Sequence, residues 1–176
     1  MVISQEANGE TGVTSMLIGV LSDTHLREGR PLPSFVWLAF ADVDLILHAG
    51  DVVSRSVLVD LGCLAPVKAV RGNCDGWELA DLPAQAVVTC EDVKIGLVHG
   101  FAGTGRSTPE RAFNTFAQED ADIIVFGHSH SPVSELRHGI LLFNPGSPTD
   151  KRREARYSLG LLRVEGKKIT PQHLYF

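Results

Sequence analysis

The chain has 176 residues, the length of a single domain, and 44% of them are apolar, which suffices for a full core and excludes a wholly disordered chain. Against 16 Lys and Arg stand 21 Asp and Glu, a net charge of −5 that argues against non-specific nucleic-acid binding or adhesion to an anionic membrane. Cys63, Cys74 and Cys90 contain no C-x-x-C pair, so neither a disulfide framework nor a thiolate zinc site is expected, and reduced thiols in the cytoplasm fit better. No apolar run approaches the roughly 18 residues of a membrane span. Residues 1–15, MVISQEANGETGVTS, have neither a basic nor an apolar signal region. They are polar and read as a disordered extension, with the fold starting at Met16.

The run MLIGVL (16–21) is apolar throughout, as in a strand buried on both faces. Residues 33–41 read as a short helix with Pro33 near its start. DLILH (44–48) is a second strand. Residues 54–62 read as a helix with Ser54 as N-cap and Gly62 as stop, and 66–72 holds a third strand. This β-α-β-α-β order with short connections predicts a parallel α/β sheet. Further on, 84–90 and 93–98 form a hairpin around Glu91-Asp92. Residues 107–119 read as a helix, opened by the Ser107/Glu110 capping-box pattern with Pro109 in its first turn. DIIVFG (122–127) is a buried strand, and His138-Gly139 joins a hairpin. Two terminal runs form a last antiparallel pair. Trp37 and Phe40, and Phe113 and Phe116, recur at three-residue spacing as core faces of helices.

Five polar clusters each follow an apolar strand: Asp23-Thr24-His25, Gly50-Asp51, Gly72-Asn73-Cys74-Asp75, His99-Gly100 and Gly127-His128-Ser129-His130. Ligands of open α/β sheets collect beyond the carboxyl ends of strands, so these clusters are expected to converge. Alone, each has a plain structural explanation. Asp51 and Asn73 after glycine suit turns, and His99 suits a strand end. Together, Asp, His and Asn donors suit Mn, Fe, Zn or Ni better than Ca. Seven candidate ligands exceed one tetrahedral ion and suffice for two if a carboxylate bridges.

In this order the motifs D-x-H, G-D, G-N-x-D, H-G and G-H-x-H resemble those of the calcineurin-like metallophosphoesterases, in particular their small bacterial and archaeal phosphodiesterase subfamily. Asn144-Pro145-Gly146-Ser147 is similar to that subfamily's N-P-G-S segment. The resemblance covers residues 16–176 and implies a single domain, a four-layer α-β-β-α sandwich with two mixed β-sheets. It implies that Asp23, His25 and His130 bind one divalent ion and Asn73, His99 and His128 the other, with Asp51 bridging. Manganese heads the expected metals, with Ni, Fe or Zn as alternatives. Asp51, Asn73, Cys74 and His128 are the expected catalytic set.

Two positions depart from the family pattern. Cys74 stands where many members carry a His that assists the leaving oxygen, and a thiol is a poorer donor than imidazolium. Phe101 stands where relatives often read H-G-H. The expected reaction is hydrolysis of a small phosphodiester, nucleotide-derived or otherwise, by a hydroxide bridging two ions. Two divalent ions (+4) and the carboxylates of Asp23 and Asp51 (−2) leave +2, which hydroxide plus a monoanionic diester neutralises. Arg71 and Arg106 are candidates for phosphate contact, and the Lys151-Arg152-Arg153 run reads first as a solvated loop. Asp75 is expected to orient a ligand His or cap a helix, and His48 to pack at a strand end or support a ligand. His138 reads as a turn residue. The alternatives are a non-catalytic interaction scaffold like the retromer subunit of this fold, and a phosphomonoesterase or nucleotidase on the same centre. A homo-oligomer is left open.

Overall fold

The first apolar run forms β1 (Ser15–Leu21), with alternate side chains entering different cores. The structure, a computed structural model, describes residues 15–176. The expected extension lies outside the described residues except for Ser15, which already belongs to β1. Next come α1 (Ser34–Ala39), β2 (Leu45–His48), α2 (Arg55–Gly62) and β3 (Val67–Ala69). The second half runs β4 (Gln85–Cys90), β5 (Val93–Val98), α3 (Thr108–Thr115), β6 (Ile123–Val125), β7 (Val133–Arg137), β8 (Ile140–Asn144), β9 (Ser158–Glu165) and β10 (Lys168–Tyr175).

Two five-stranded sheets result, ordered β10-β9-β1-β2-β3 and β4-β5-β6-β8-β7. In the first, β1, β2 and β3 are parallel, as the short connections require; in the second, β5, β6 and β8 are parallel. Both sheets are mixed because hairpins supply antiparallel strands, β9–β10 in the first and β4–β5 and β7–β8 in the second. Three apolar clusters define the layers. Ile18, Val20, Leu45 and Leu47 of the first sheet meet Val93, Ile95, Leu97, Ile123 and Val125 of the second in the central core. Val36 and Phe40 of the α1 segment and Val57 and Leu61 of α2 cover the outer face of the first sheet, with Leu21 and Ile46. Ala112 of α3 and Phe116 cover the outer face of the second, with Val98 and Ile124. This is the four-layer α-β-β-α sandwich. Glycine makes the helix packing possible: a Cβ at Gly19 would stand 2.9 Å from the Phe40 ring, and one at Gly96 would stand 3.0 Å from that of Phe116.

Local signals set the helix starts. Ser54 accepts a bond from the Ser56 amide, and Ser107 accepts one from the Glu110 amide at 3.3 Å. The Glu110 carboxylate accepts from the Arg106 amide at 2.7 Å, one residue upstream of the expected capping-box donor. α3 stops at Thr115, four residues before the expected end. Phe116 leaves the helical region (φ −108°, ψ 19°), and the Glu119 amide turns back to the Phe116 carbonyl. The chain must reverse here so that Asp122 can donate to the Lys94 carbonyl and β6 can align with β5. His138 (φ 50°) and Gly139 (φ 84°) form the β7–β8 turn, as expected.

Candidate metal centre

Every parallel strand delivers its loop to one edge. β1 leads to Asp23 and His25, β2 to Asp51, β3 to Asn73 and Cys74, β5 to His99, and β6 to His128 and His130. The backbone ladder runs on past the strand ends: the Asp23 amide donates to the Gly50 carbonyl and the His25 amide to that of Asp51, both at 3.0 Å. Asp23, His25, Asp51, His128 and His130 all hold φ between 47° and 67°. Such left-handed geometry costs an ordinary residue about 1–2 kcal/mol, so surrounding bonds must impose it.

Each carboxylate ties one oxygen to the protein and leaves the other to the centre. Asp23 Oδ2 accepts from Ser22 Oγ (2.6 Å) and the His128 amide (2.9 Å), while its Oδ1 is buried without a hydrogen-bond partner. Asp51 Oδ1 accepts from the Cys74 amide at 2.7 Å. The free oxygens face imidazoles. Asp23 Oδ1 lies 3.3 Å from His130 Nε2, 3.8 Å from His25 Nε2 and 3.9 Å from His99 Nε2. Asp51 Oδ2 lies 3.2 Å from His99 Nε2 and 3.5 Å from His25 Nε2. His99 Nδ1 donates to the Ala49 carbonyl at 2.7 Å, and His130 Nδ1 donates to that of Asp150. Both tautomers therefore direct an Nε2 lone pair inward.

These donors fit divalent cations. The Nε2 atoms of His25 and His130 approach to 3.3 Å with their rings stacked, close enough to share a cation or a proton. Asp23, His25 and His130 form one group of donor atoms within 4.8 Å of one another; Asp23, Asp51 and His99 form a second that shares Asp23. Electrostatics agree. Burial alone would raise the Asp51 carboxyl, but bonding and charge from His99 and the Cys74 amide hold it below the usual carboxylate range. Burial likewise opposes charge on His99, yet Asp51 and Asp23 raise its pKa. The pocket draws positive charge into a desolvated place.

The remaining predicted residues also gather here. Asn73 Oδ1 lies 3.2 Å from His99 Nε2. The His128 ring meets that of His99 edge-on at 5.2 Å, and burial, then His99, lowers its pKa. Cys74 Sγ falls within 4.8 Å of donor atoms of His25 and Asp51, so a thiol does border the centre. Desolvation, then Asp51, pushes this thiol up to about 11. Phe101 lies against His99 and His128, at 5.9 and 6.5 Å between ring centroids. Arg71 is exposed beside Asn73, and Lys151, Arg152 and Arg153 line a cleft of about 420 Å³ with Ser129 and Ser131. His48 is fully buried against Thr24 Oγ1 at 3.2 Å.

Asp75 corrects its sequence reading. It touches no histidine and caps no helix. Its carboxylate accepts from the amides of Gly72 (2.7 Å), Val53 (2.7 Å) and Asp51 (3.1 Å), pinning the β2 and β3 loops together. A Cβ on Gly72 would stand 2.2 Å from Asp51 Oδ1, so only glycine permits that approach. The Asn144–Ser147 segment braces the opposite side. Asn144 Nδ2 donates to the Gly127 carbonyl at 2.9 Å, and Ser147 Oγ donates to that of Asp23 at 2.7 Å. The segment thus fastens the β1 and β6 loops, a task its sequence does not reveal.

Two facing mixed sheets, with carboxylates and imidazoles gathered at one edge, define an α/β metalloprotein with an oxygen–nitrogen centre. Residues 16–167 match the calcineurin-like phosphoesterase superfamily domain, and the chain belongs to that superfamily, whose members work with divalent metal ions. It is 38% identical over 155 residues to a probable metallophosphoesterase of Methanothermobacter thermautotrophicus, spanning 88% of this chain and 89% of that one. Among solved structures, an archaeal phosphodiesterase superposes with a TM-score of 0.71 at 26% identity, over 90% of this chain and 100% of the other. Vacuolar protein sorting 29 from Cryptosporidium parvum reaches a TM-score of 0.76 at 24% identity, over 92% and 98%, a likeness of fold. Among the described residues no helix is long and apolar enough to cross a membrane.

Proposed function

We propose that the protein is a metal-dependent phosphodiesterase. Asp23, His25 and His130 hold one divalent ion, Asn73, His99 and His128 a second, and Asp51 serves both. The observation that carries this reading is the buried, bond-free Asp23 Oδ1 facing three imidazole Nε2 atoms at 3.3–3.9 Å. An orphaned buried carboxylate oxygen is costly unless a cation completes it. Divalent ions held there supply Lewis acidity and lower the pKa of bound water, the chemistry that hydrolysis at phosphorus needs.

The chain's own residues do the rest. Ser22 and the Cys74 amide fix the two carboxylates, Asp75 fixes the Asp51 backbone, and the Ala49 and Asp150 carbonyls fix two imidazoles. Cys74 borders the centre, and a leaving oxygen on that side would meet a thiol, a weaker donor than imidazolium. Only two carboxylates, Asp23 and Asp51, contribute charge to the ligand set, so two divalent ions leave a surplus of +2. A diester's single charge and that of the nucleophile balance it, whereas a dianionic monoester overshoots. The likeness to vacuolar protein sorting 29 supports a second reading as an interaction scaffold.

Titrating the metal-free protein with Mn²⁺, and in parallel with Ni²⁺ and Zn²⁺, should show about two equivalents bound. Loaded protein should hydrolyse bis-p-nitrophenyl phosphate faster than p-nitrophenyl phosphate. Two bound equivalents without turnover would favour the scaffold, and faster monoester cleavage would favour a phosphomonoesterase.

A further inference from the structure

Two large aromatic side chains stand in solvent beside the centre. Trp77 is 85% exposed and Phe101 is 45% exposed. Both line one cleft of about 380 Å³, whose wall also includes Asn73 and Arg71. A second cleft, of about 310 Å³, has Trp77 on its wall together with Cys74. The indole thus borders both spaces that open from the Asn73–Cys74 side of the centre.

Neither ring is exposed because its segment is loose. Trp77 opens the 3-10 turn Trp77–Leu79, which fully buried Leu79 plugs into the first sheet's outer core. Arg55 clasps the same turn from α2, donating from Nε (3.1 Å) and Nη2 (2.6 Å) to the Glu78 carbonyl and pairing with Asp81. Phe101 follows directly on His99 and Gly100. Arg111 Nε holds the Gly100 carbonyl at 2.9 Å, and Asn114 Nδ2 holds that of Thr104 at 2.8 Å. These bonds hold both segments to the fold with their rings in water, where apolar area is unfavourable. The cost is recovered when a planar group covers them.

We propose that Trp77 and Phe101 form a stacking subsite for the aromatic base of a nucleoside-bearing phosphodiester whose phosphorus sits at the metal centre. This inference rests on the phosphodiesterase reading and names its substrate class. The cleft volume suits one base with its sugar. Asn73 lines the cleft and Phe101 lies 5.9 Å from the His99 ring, so the cleft borders the centre and lies within reach of an ester arm leaving the phosphorus. Arg71 places a guanidinium on the same wall, able to meet a phosphate oxygen or stack on the base. Stacking selects for a flat ring without reading its hydrogen-bonding edge, so preference among bases should be weak.

Adenosine 5′-monophosphate and ribose 5-phosphate differ only by the base, and serve as competing probes against hydrolysis of bis-p-nitrophenyl phosphate by Mn²⁺-loaded protein. The adenosine compound should inhibit the parent about tenfold more tightly. Trp77→Ala and Phe101→Ala should each remove most of that advantage while moving the ribose 5-phosphate constant less than twofold, and Trp77→Phe should retain much of it. Independently of turnover, the adenosine compound should quench tryptophan fluorescence of the parent, ribose 5-phosphate should not, and the quenching should vanish in Trp77→Phe. Equal inhibition by the two probes in the parent, or unchanged constants in both alanine variants, overturns the stacking subsite and leaves the exposed rings to a protein partner. Loss of metal-dependent turnover in the parent would instead remove the phosphodiesterase reading, with the fluorescence titration still deciding whether Trp77 meets a base.

Discussion

The loops of the two sheets contribute differently to the centre. Those of β1–β3 bring both carboxylates, Asp23 and Asp51, while those of β5 and β6 bring imidazoles alone, His99, His128 and His130. The fastenings differ to match. Asp51 is held by N–H donors, through the Cys74 amide on its own carboxylate and through Asp75 gathering three loop amides. His99 and His130 are held by carbonyl acceptors, which set the tautomer. Anionic ligands need donors to tolerate burial, and neutral imidazoles need an acceptor to aim their lone pair. The carboxylate side thus fixes charge and the imidazole side fixes direction.

The largest expected effect breaks the carboxylate side. Asp51 faces His25 of one sheet and His99 of the other, so under the proposed two-ion reading Asp51→Asn should weaken binding of both ions. Diesterase activity should fall well beyond the roughly 10–100-fold cost of losing an outer partner. His138→Asn, in a distant turn that suits Asn, should stay near the parent. Calorimetric metal titration with rate measurements would check this, and a fully active Asp51→Asn would refute the shared-ligand assignment.

Placing a second imidazole on the carboxylate side is the next test. Cys74→His should raise turnover of diesters with poor leaving groups by up to about 10²–10⁴-fold, and of good ones much less. Rates against substituted phenyl diesters, at matched metal content, should show a shallower dependence on leaving-group pKa than parent or Cys74→Ser. An unchanged slope would place residue 74 away from the departing oxygen.

Asp75 tests the amide fastening alone. Asp75→Ala removes the acceptor of three amides without touching a ligand side chain, and should weaken metal binding about 10–100-fold. Asp75→Asn, which keeps one acceptor oxygen, should fall between. Parent-like affinity in Asp75→Ala would show that the loops hold without it.

A last test concerns a first-sheet imidazole outside the ligand set. His48 belongs to the first sheet, and its buried Nδ1 has no hydrogen-bond partner. Burial, then repulsion by His99, lowers its pKa from 6.5 to about 3. The unfolded chain therefore binds a proton that the fold refuses between those values. His48's contribution to stability is full above about pH 6.5 and is lost as the pH falls toward 3. Urea unfolding of metal-free protein across this range should show a shallower pH dependence for His48→Gln. Identical slopes would mean that His48 does not carry it.

Much of the molecule was legible in the chain itself. Apolar runs located the central strands, because a strand buried on both faces needs no long-range information to announce itself. Ser54 and Ser107 announced helix starts for the same local reason. The strand-end clusters announced that these side chains would gather, since parallel topology sends all those ends to one edge. Tertiary structure alone decided the fastenings. Asp75 looked like a cap or a histidine's partner, and became a clamp once the fold brought the Val53 amide to it across 22 residues. Ser147 reaches the Asp23 carbonyl across 124 residues, and no sequence spacing encodes such a bond. The end of α3 was likewise set by the need to align β6 with β5, against a helical pattern that ran on. Trp77 gave no sign of its place, because exposure of an apolar side chain depends on what the rest of the fold leaves uncovered. Periodicity and capping act over a few residues and are written locally; hydrogen-bond partners and clefts join distant segments and exist only after folding.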